Sequence, residues 1–246
     1  MIRKYAFTLS ETLITLAIIG IVAAMTTPAL INKFKERVTV TKLKKFYNVL
    51  SQSYLYAVQE YGEVSTWGIG YDKDNTQEDE SFKPENALLL RNRLFVNAKI
   101  EKTCDNAKDL SECGITKIYY LNGKEDDGAN TLSCALVLAD GSNVFLHAKC
   151  GENCGRGNGA LNSVYSLVYF DTNGYKKPNT AGKDIFVFII TGINVLPEGS
   201  IDETAQAFPK NCSVTGRGCT AWVIFNENMD YLHCTDLSWG VKTKCN

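Results

Sequence analysis

From Phe7 to Ile31 the chain is almost wholly apolar, reading F-T-L-S-E-T-L-I-T-L-A-I-I-G-I-V-A-A-M-T-T-P-A-L-I. A short opening, Met1 to Ala6, precedes it and carries Arg3 and Lys4. About 20 apolar residues suffice to cross a bilayer, so the pattern predicts a transmembrane helix over 7–31. Apolar residues continue at Phe34 and Val38, then at Leu43, Tyr47, Leu50, Tyr54, Val58 and Tyr61. Steps of three and four make this second set one side of a helix. The two halves together predict one helix from Phe7 to about Tyr61, roughly 80 Å long. Pro28 lacks a backbone donor and is expected to kink or locally melt it.

Residues 62–83 contain a polar, acidic run, Asp72 to Ser81, which reads as an exposed loop. Pro84-Glu85 then opens a second predicted helix through Leu88, Leu89, Leu94, Phe95 and Ala98, proline being suited to a first turn. From Ile115 the period changes to that of strands: Ile115 to Leu121, Cys134 to Leu138, Val144 to Ala148, Val164 to Phe170 and Ile185 to Thr191. Asp140-Gly141 between two apolar runs signals a hairpin. The Gly-rich stretch Gly151 to Gly159 lacks the lysine of a phosphate loop and reads as a plain loop. The fold class is therefore α+β: a long N-terminal helix, transmembrane in its first half, packed on an antiparallel β-sheet head spanning 62–246.

Glu11 does not belong in an apolar stretch. A charge in hydrocarbon costs roughly 2.5–3.5 kcal/mol on insertion scales, so it needs a partner or a purpose. A secretory signal peptide would share the basic start, the apolar core and small residues at Val22, Ala23 and Ala24. Against that reading stand the charge at the head of the core and a helical stripe that continues past the cleavage point.

Nine cysteines, all beyond residue 100 and with no C-x-x-C spacing, point to an oxidising compartment and disulfides rather than zinc. An odd number leaves at least one thiol over. Nearness suggests Cys104 with Cys113, Cys212 with Cys219 and Cys234 with Cys245, leaving Cys134, Cys150 and Cys154 to share one more bridge. Spacing does not fix connectivity. A net charge of -1 removes the broad attraction that nucleic-acid binding needs.

Only two histidines, His147 and His233, are present to serve a nucleophile, and each reads as a surface or packed residue. The carboxylates are scattered through polar loops and read as solvated. No enzyme is indicated. Asp171-Thr172-Asn173-Gly174 opens a loop that ends at Asp184. Asp171, Asn173 and Asp184 could hold calcium, since hard cations take oxygen ligands. Asp-x-Asn-Gly equally makes a turn through its own hydrogen bonds, with no metal.

The segment A-F-T-L-S-E-T-L-I-T-L-A-I-I-G-I-V-A-A-M-T-T-P resembles the N-terminus of type IV prepilins and type II secretion pseudopilins. The resemblance implies a leader of residues 1–6, cut between Ala6 and Phe7 by a prepilin peptidase, with Phe7 then N-methylated. Glu11 becomes the acid at the fifth mature position, and Pro28 falls where the family often has a helix-bending proline. Ala6 departs from the glycine usual before the cut. The 171–184 loop is similar to one found in pseudopilin heads, some of which bind calcium. Gly218 to Leu232 is similar to the C-termini of prepilin-type secretion proteins.

The expected role is a structural subunit, a pseudopilin or minor pilin, of a type II secretion or type IV pilus filament. In it, Glu11 of one subunit neutralises the new amine of a neighbour. Expected partners are other pilin or pseudopilin subunits, the peptidase, an inner-membrane assembly platform and lipid, with no nucleic acid. The head would be extracytoplasmic and the helix a single inner-membrane pass. Lys33, Lys35, Arg37, Lys42, Lys44 and Lys45 beyond the span would alone favour the opposite orientation. The cysteines and the leader-like opening outweigh them, because long domains translocate largely regardless of charge. Two alternatives are a membrane-anchored, disulfide-rich adhesin or ligand-binding protein that does not polymerise, and a secreted hydrolase with an uncleaved anchor.

Overall fold

The computed structural model describes residues 8–69, 84–115, 117–126, 132–151, 154–177 and 179–245. Ala6, Phe7 and the acidic run Asp72 to Ser81 lie outside them. Helix α1 covers Leu9–Tyr61, and the chain divides within it into two compact units, Met1–Val38 and Thr39–Asn246. In the first unit every described residue up to Lys35 is exposed, Leu13, Ile14, Leu16, Ile18 and Ile19 among them. The helix is not interrupted at Pro28, which corrects the expectation of local melting there. Pro28 removes a single backbone donor. Before it, the hydroxyls of Thr26 and Thr27 donate to the carbonyls of Val22 and Ala23 at 2.9 and 2.7 Å.

In the second unit α1 becomes one-sided. Val40, Leu43, Phe46, Leu50, Tyr54 and Ala57 are buried, and their steps of three and four trace one face. That face closes over a sheet of six antiparallel strands in sequential order: β1 Ile100–Cys104, β2 Cys134–Leu138, β3 Asn143–Gly151, β4 Val164–Asp171, β5 Ile185–Thr191 and β6 Val195–Pro197. Phe46 stacks on Phe170 with ring centroids 3.9 Å apart and planes 5° from parallel. Tyr47 stacks on Phe188 at 5.6 Å. The hydroxyls of Tyr47 and Tyr54 donate to the carbonyls of Val195 and Thr191, each at 3.3 Å. Helix α2, Pro84–Leu94, buries Ala87, Leu90 and Leu94 beside β2 and β3. Two short helices, α3 Lys210–Thr215 and α4 Thr220–Asn226, complete this side, with Trp222 stacked on Phe208 at 4.1 Å.

The opposite face of the sheet is also covered. Ala135, Val137, Phe145, Leu167, Val187 and Ile189 pack there under Leu110, Ile115, Ile118, Leu132 and Leu161. Double coverage explains why β4 and β5 are buried at every position instead of alternating. It also corrects one expected strand. Among the described residues of 115–121 the only ladder contacts are two isolated bridges of Tyr119, to Glu125 and Thr180, because Ile115 and Ile118 serve as a lid over the sheet.

A second correction concerns charge. Asp126, Glu198 and Glu203 are buried, not solvated. Arg217 donates to Glu198 at 2.8 and 2.6 Å and to Asp126 at 3.5 Å, and Arg156 reaches Glu198 and Glu203, each at 2.7 Å. Burial works against ionised Glu198, yet the Arg217 guanidinium holds its carboxyl below the usual range. Such a network is costly to break, since removing one partner strands the others. Disulfides join Cys104 to Cys113, Cys212 to Cys219 and Cys234 to Cys245. Cys154 is disulfide-bonded as well. Among the described residues the free thiol is Cys134, buried on β2, and burial pushes it up to about 12.

Phe46→Ala, which removes the ring stacked on Phe170, is expected to lose about 3–5 kcal/mol of stability. Val49→Ala, at an exposed position of the same helix, is expected to stay within about 0.5 kcal/mol. Urea denaturation of the full chain in detergent, followed by tryptophan fluorescence, separates the two.

Candidate functional site

The first turn of α1 is built by a reciprocal cap. Thr8 precedes the helix, and its hydroxyl accepts the Glu11 backbone N–H at 3.2 Å. The Glu11 carboxylate in return accepts the Thr8 backbone N–H at 2.7 Å and the Thr8 hydroxyl at 2.8 Å, all on Oε2. This is a capping box, in which the spacing Thr-x-x-Glu satisfies two orphan donors of a helix start. The signal, Thr8-Leu9-Ser10-Glu11 ahead of an apolar run, stands in the sequence but is passed over when the segment is read for apolar content alone.

The later threonines of the span are treated similarly. Thr12 donates to the Leu9 carbonyl at 2.8 Å and Thr15 to that of Thr12 at 2.9 Å, as Thr26 and Thr27 do near Pro28. These hydroxyls need no water, which a hydrocarbon surround would not supply. By length and composition the helix can cross a membrane.

The head carries a second polar cluster where β4 runs into β5. Asp171 ends β4, and its Oδ1 accepts the backbone N–H groups of Asn173 and Gly174 at 2.9 and 3.1 Å. Asp184 Oδ2 accepts from Asn173 Nδ2 at 2.9 Å, while its Oδ1 accepts the Thr180 N–H at 2.5 Å. The three residues singled out from sequence are thus brought together, around a turn built by Asp171. Burial pushes the Asp171 carboxyl up to about 7 and that of Asp184 up to about 6. From α1, Lys42 Nζ donates to the Thr172 carbonyl at 2.7 Å.

Neither histidine sits with these groups. His147 lies buried on β3, where burial pushes it down to about 3 and holds it neutral. His233 is exposed near the C-terminus.

An apolar helical span opened by a capped acid, leading into a helix-on-sheet head, fits the class of type IV pilin-like or pseudopilin subunits. Residues 1–27 match the prokaryotic N-terminal methylation motif, the signature of such precursors. Residues 29–200 match a family of unknown function (DUF6613), and the chain belongs to that family. No curated protein and no solved structure matches the chain. The motif and the apolar helix fit an inner-membrane-anchored protein.

Thr8→Ala removes half of the cap and is expected to cost the first turn about 0.5–2 kcal/mol. In detergent micelles the amides of Thr8 and Glu11 should then exchange faster, with those beyond Leu16 unchanged. Unaltered exchange at Glu11 would show that the cap holds nothing in place.

Proposed function

We propose that the chain is a structural subunit, a pseudopilin or minor pilin, of a type II secretion or type IV pilus filament. In this reading it is cut between Ala6 and Phe7, methylated on the new amine, and assembled through α1 with other such subunits. The partners are the prepilin peptidase, an inner-membrane assembly platform and the lipid around the helix. The head lies on the extracytoplasmic side, where its disulfides form. Its work is mechanical rather than catalytic.

One observation carries the reading: a methylation motif whose single acid, Glu11, is held at the very start of the apolar first half of α1. Covalent connectivity puts the mature amine of Phe7 one residue before Thr8, whose N–H Glu11 already accepts. The carboxylate is therefore poised for a positive amine, its own or a neighbour's. In a dry helical bundle each charge alone is costly, so pairing them fixes the register between subunits.

Support also comes from the half of α1 in the head. Its exposed positions from Asn48 to Gln59 are Asn48, Val49, Gln52, Leu55, Tyr56 and Gln59, none of them charged. An uncharged, half-apolar face suits packing against another helix. A tether that works alone has no use for it.

Glu11→Ala tests the proposal in cells that make the filament. Assembly should be lost, while the variant still fractionates with the membrane and still loses its leader. Filaments assembled at wild-type levels would instead favour the non-polymerising anchor.

A further inference from the structure

Six cations stand between Ile31 and Phe46, and they divide into two sets of three. The later three are taken up within the head. Lys42 donates to the Thr172 carbonyl at 2.7 Å, Lys44 pairs with Glu227, and Lys45 lies 3.8 Å from Asp140. The earlier three, Lys33, Lys35 and Arg37, are exposed and belong to the compact unit Met1–Val38 that holds the apolar span. Glu36, half-buried, is the one acid among them.

Helix geometry sets their depth. At 1.5 Å per residue, Leu9 to Ile31 rises about 33 Å, enough to fill the roughly 30 Å of hydrocarbon in a bilayer. Lys33, Lys35 and Arg37 then follow about 3, 6 and 9 Å beyond Ile31. The headgroup layer on each side is roughly 5–7 Å deep, so the first two stand within it and the third at its outer edge. Cα–Cβ bonds in a helix tilt toward its N-terminus, which here is the membrane end. The three side chains therefore lean back toward the phosphates, and their long stems let the charges reach them.

Their arrangement around the helix favours lipid over a protein neighbour. Lys33 and Arg37, four residues apart, share one side, and Lys35 stands on nearly the opposite side. A neighbouring subunit covers one side of a helix, whereas headgroups surround it. Like charges four residues apart also repel, and an anion between them relieves the repulsion. Phe34, 66% exposed, stands beside them in the sequence, and its ring suits the boundary between headgroups and acyl chains.

We propose that Lys33, Lys35 and Arg37 form a collar that binds the phosphates of anionic phospholipids. The ligand is a headgroup of net negative charge, such as phosphatidylglycerol. In a zwitterionic headgroup the phosphate is already matched by its own cation. The collar rests on the membrane-anchored reading of α1 and adds which lipid the anchor selects. A subunit drawn into a filament must leave these phosphates, so the collar holds unassembled subunits in the bilayer.

The full chain, reconstituted in phosphatidylcholine vesicles with trace spin-labelled phosphatidylglycerol or phosphatidylcholine, tests the collar. Electron spin resonance reads the lipid immobilised by the protein. Phosphatidylglycerol should be selected by roughly fivefold or more at low salt, and the preference should fade as salt is raised. The K33Q/K35Q/R37Q variant, whose glutamines keep the helix, should lose most of that preference. The charge-conserving K33R/K35R variant should retain it. No preference in the wild type, or one that survives the triple substitution, would overturn the proposal. Filaments lost while the preference survives would overturn it too, assigning the cations to an acidic neighbouring subunit. Alkaline carbonate that strips the chain from the vesicles would overturn the anchored reading itself, a failure distinct from the others.

Discussion

The head depends on one packing interaction, the closure of α1's apolar stripe over one face of the sheet. Leu43, Phe46, Leu50, Tyr54 and Ala57 follow helical spacing and meet Phe170, Phe188 and their neighbours on β4 and β5. The same helix earlier in the chain shows no such preference. From Leu9 to Ile31 it is apolar on every side and exposed. A helix that is apolar all round needs a non-aqueous surround, whereas a one-sided helix needs a core. Both demands fall on the single helix α1, which fits an inner-membrane-anchored protein whose anchoring helix also organises a folded head.

On its other face the sheet is covered by loops and short 3-10 turns rather than α-helices, and such segments bring polar backbone and charged side chains into contact with a buried surface. The Arg156, Arg217, Glu198, Glu203 and Asp126 network and the Cys104–Cys113 bridge hold these loops down. The short disulfide-closed loops limit what the chain loses in conformational freedom at its least regular segments.

The parts of the fold legible in the sequence are those with one dominant period. The stripe along α1 and the continuous apolar runs of β2 to β5 were of that kind, and Asp140-Gly141 marks the turn between β2 and β3. Edge strands were not legible. β1, Ile-Glu-Lys-Thr-Cys, is mostly exposed and polar, and β6 is three residues long. Ile115 to Leu121 failed for the converse reason: its apolar residues cover the sheet without joining it. The buried charges escaped because Arg217 and Glu198 lie far apart in the chain, and no local pattern announces a partner. At the N-terminus the acid was evident, but its cap lay in a four-residue spacing easily lost among apolar neighbours.

The claim on which the rest turns concerns chemistry at one peptide bond. Mass spectrometry of the N-terminal peptide, from protein isolated from its native cells, reads it directly. A mature chain beginning at N-methylated Phe7 is the result expected. An intact leader retaining Met1, or a chain starting near residue 25 as a signal peptidase would leave it, would contradict it.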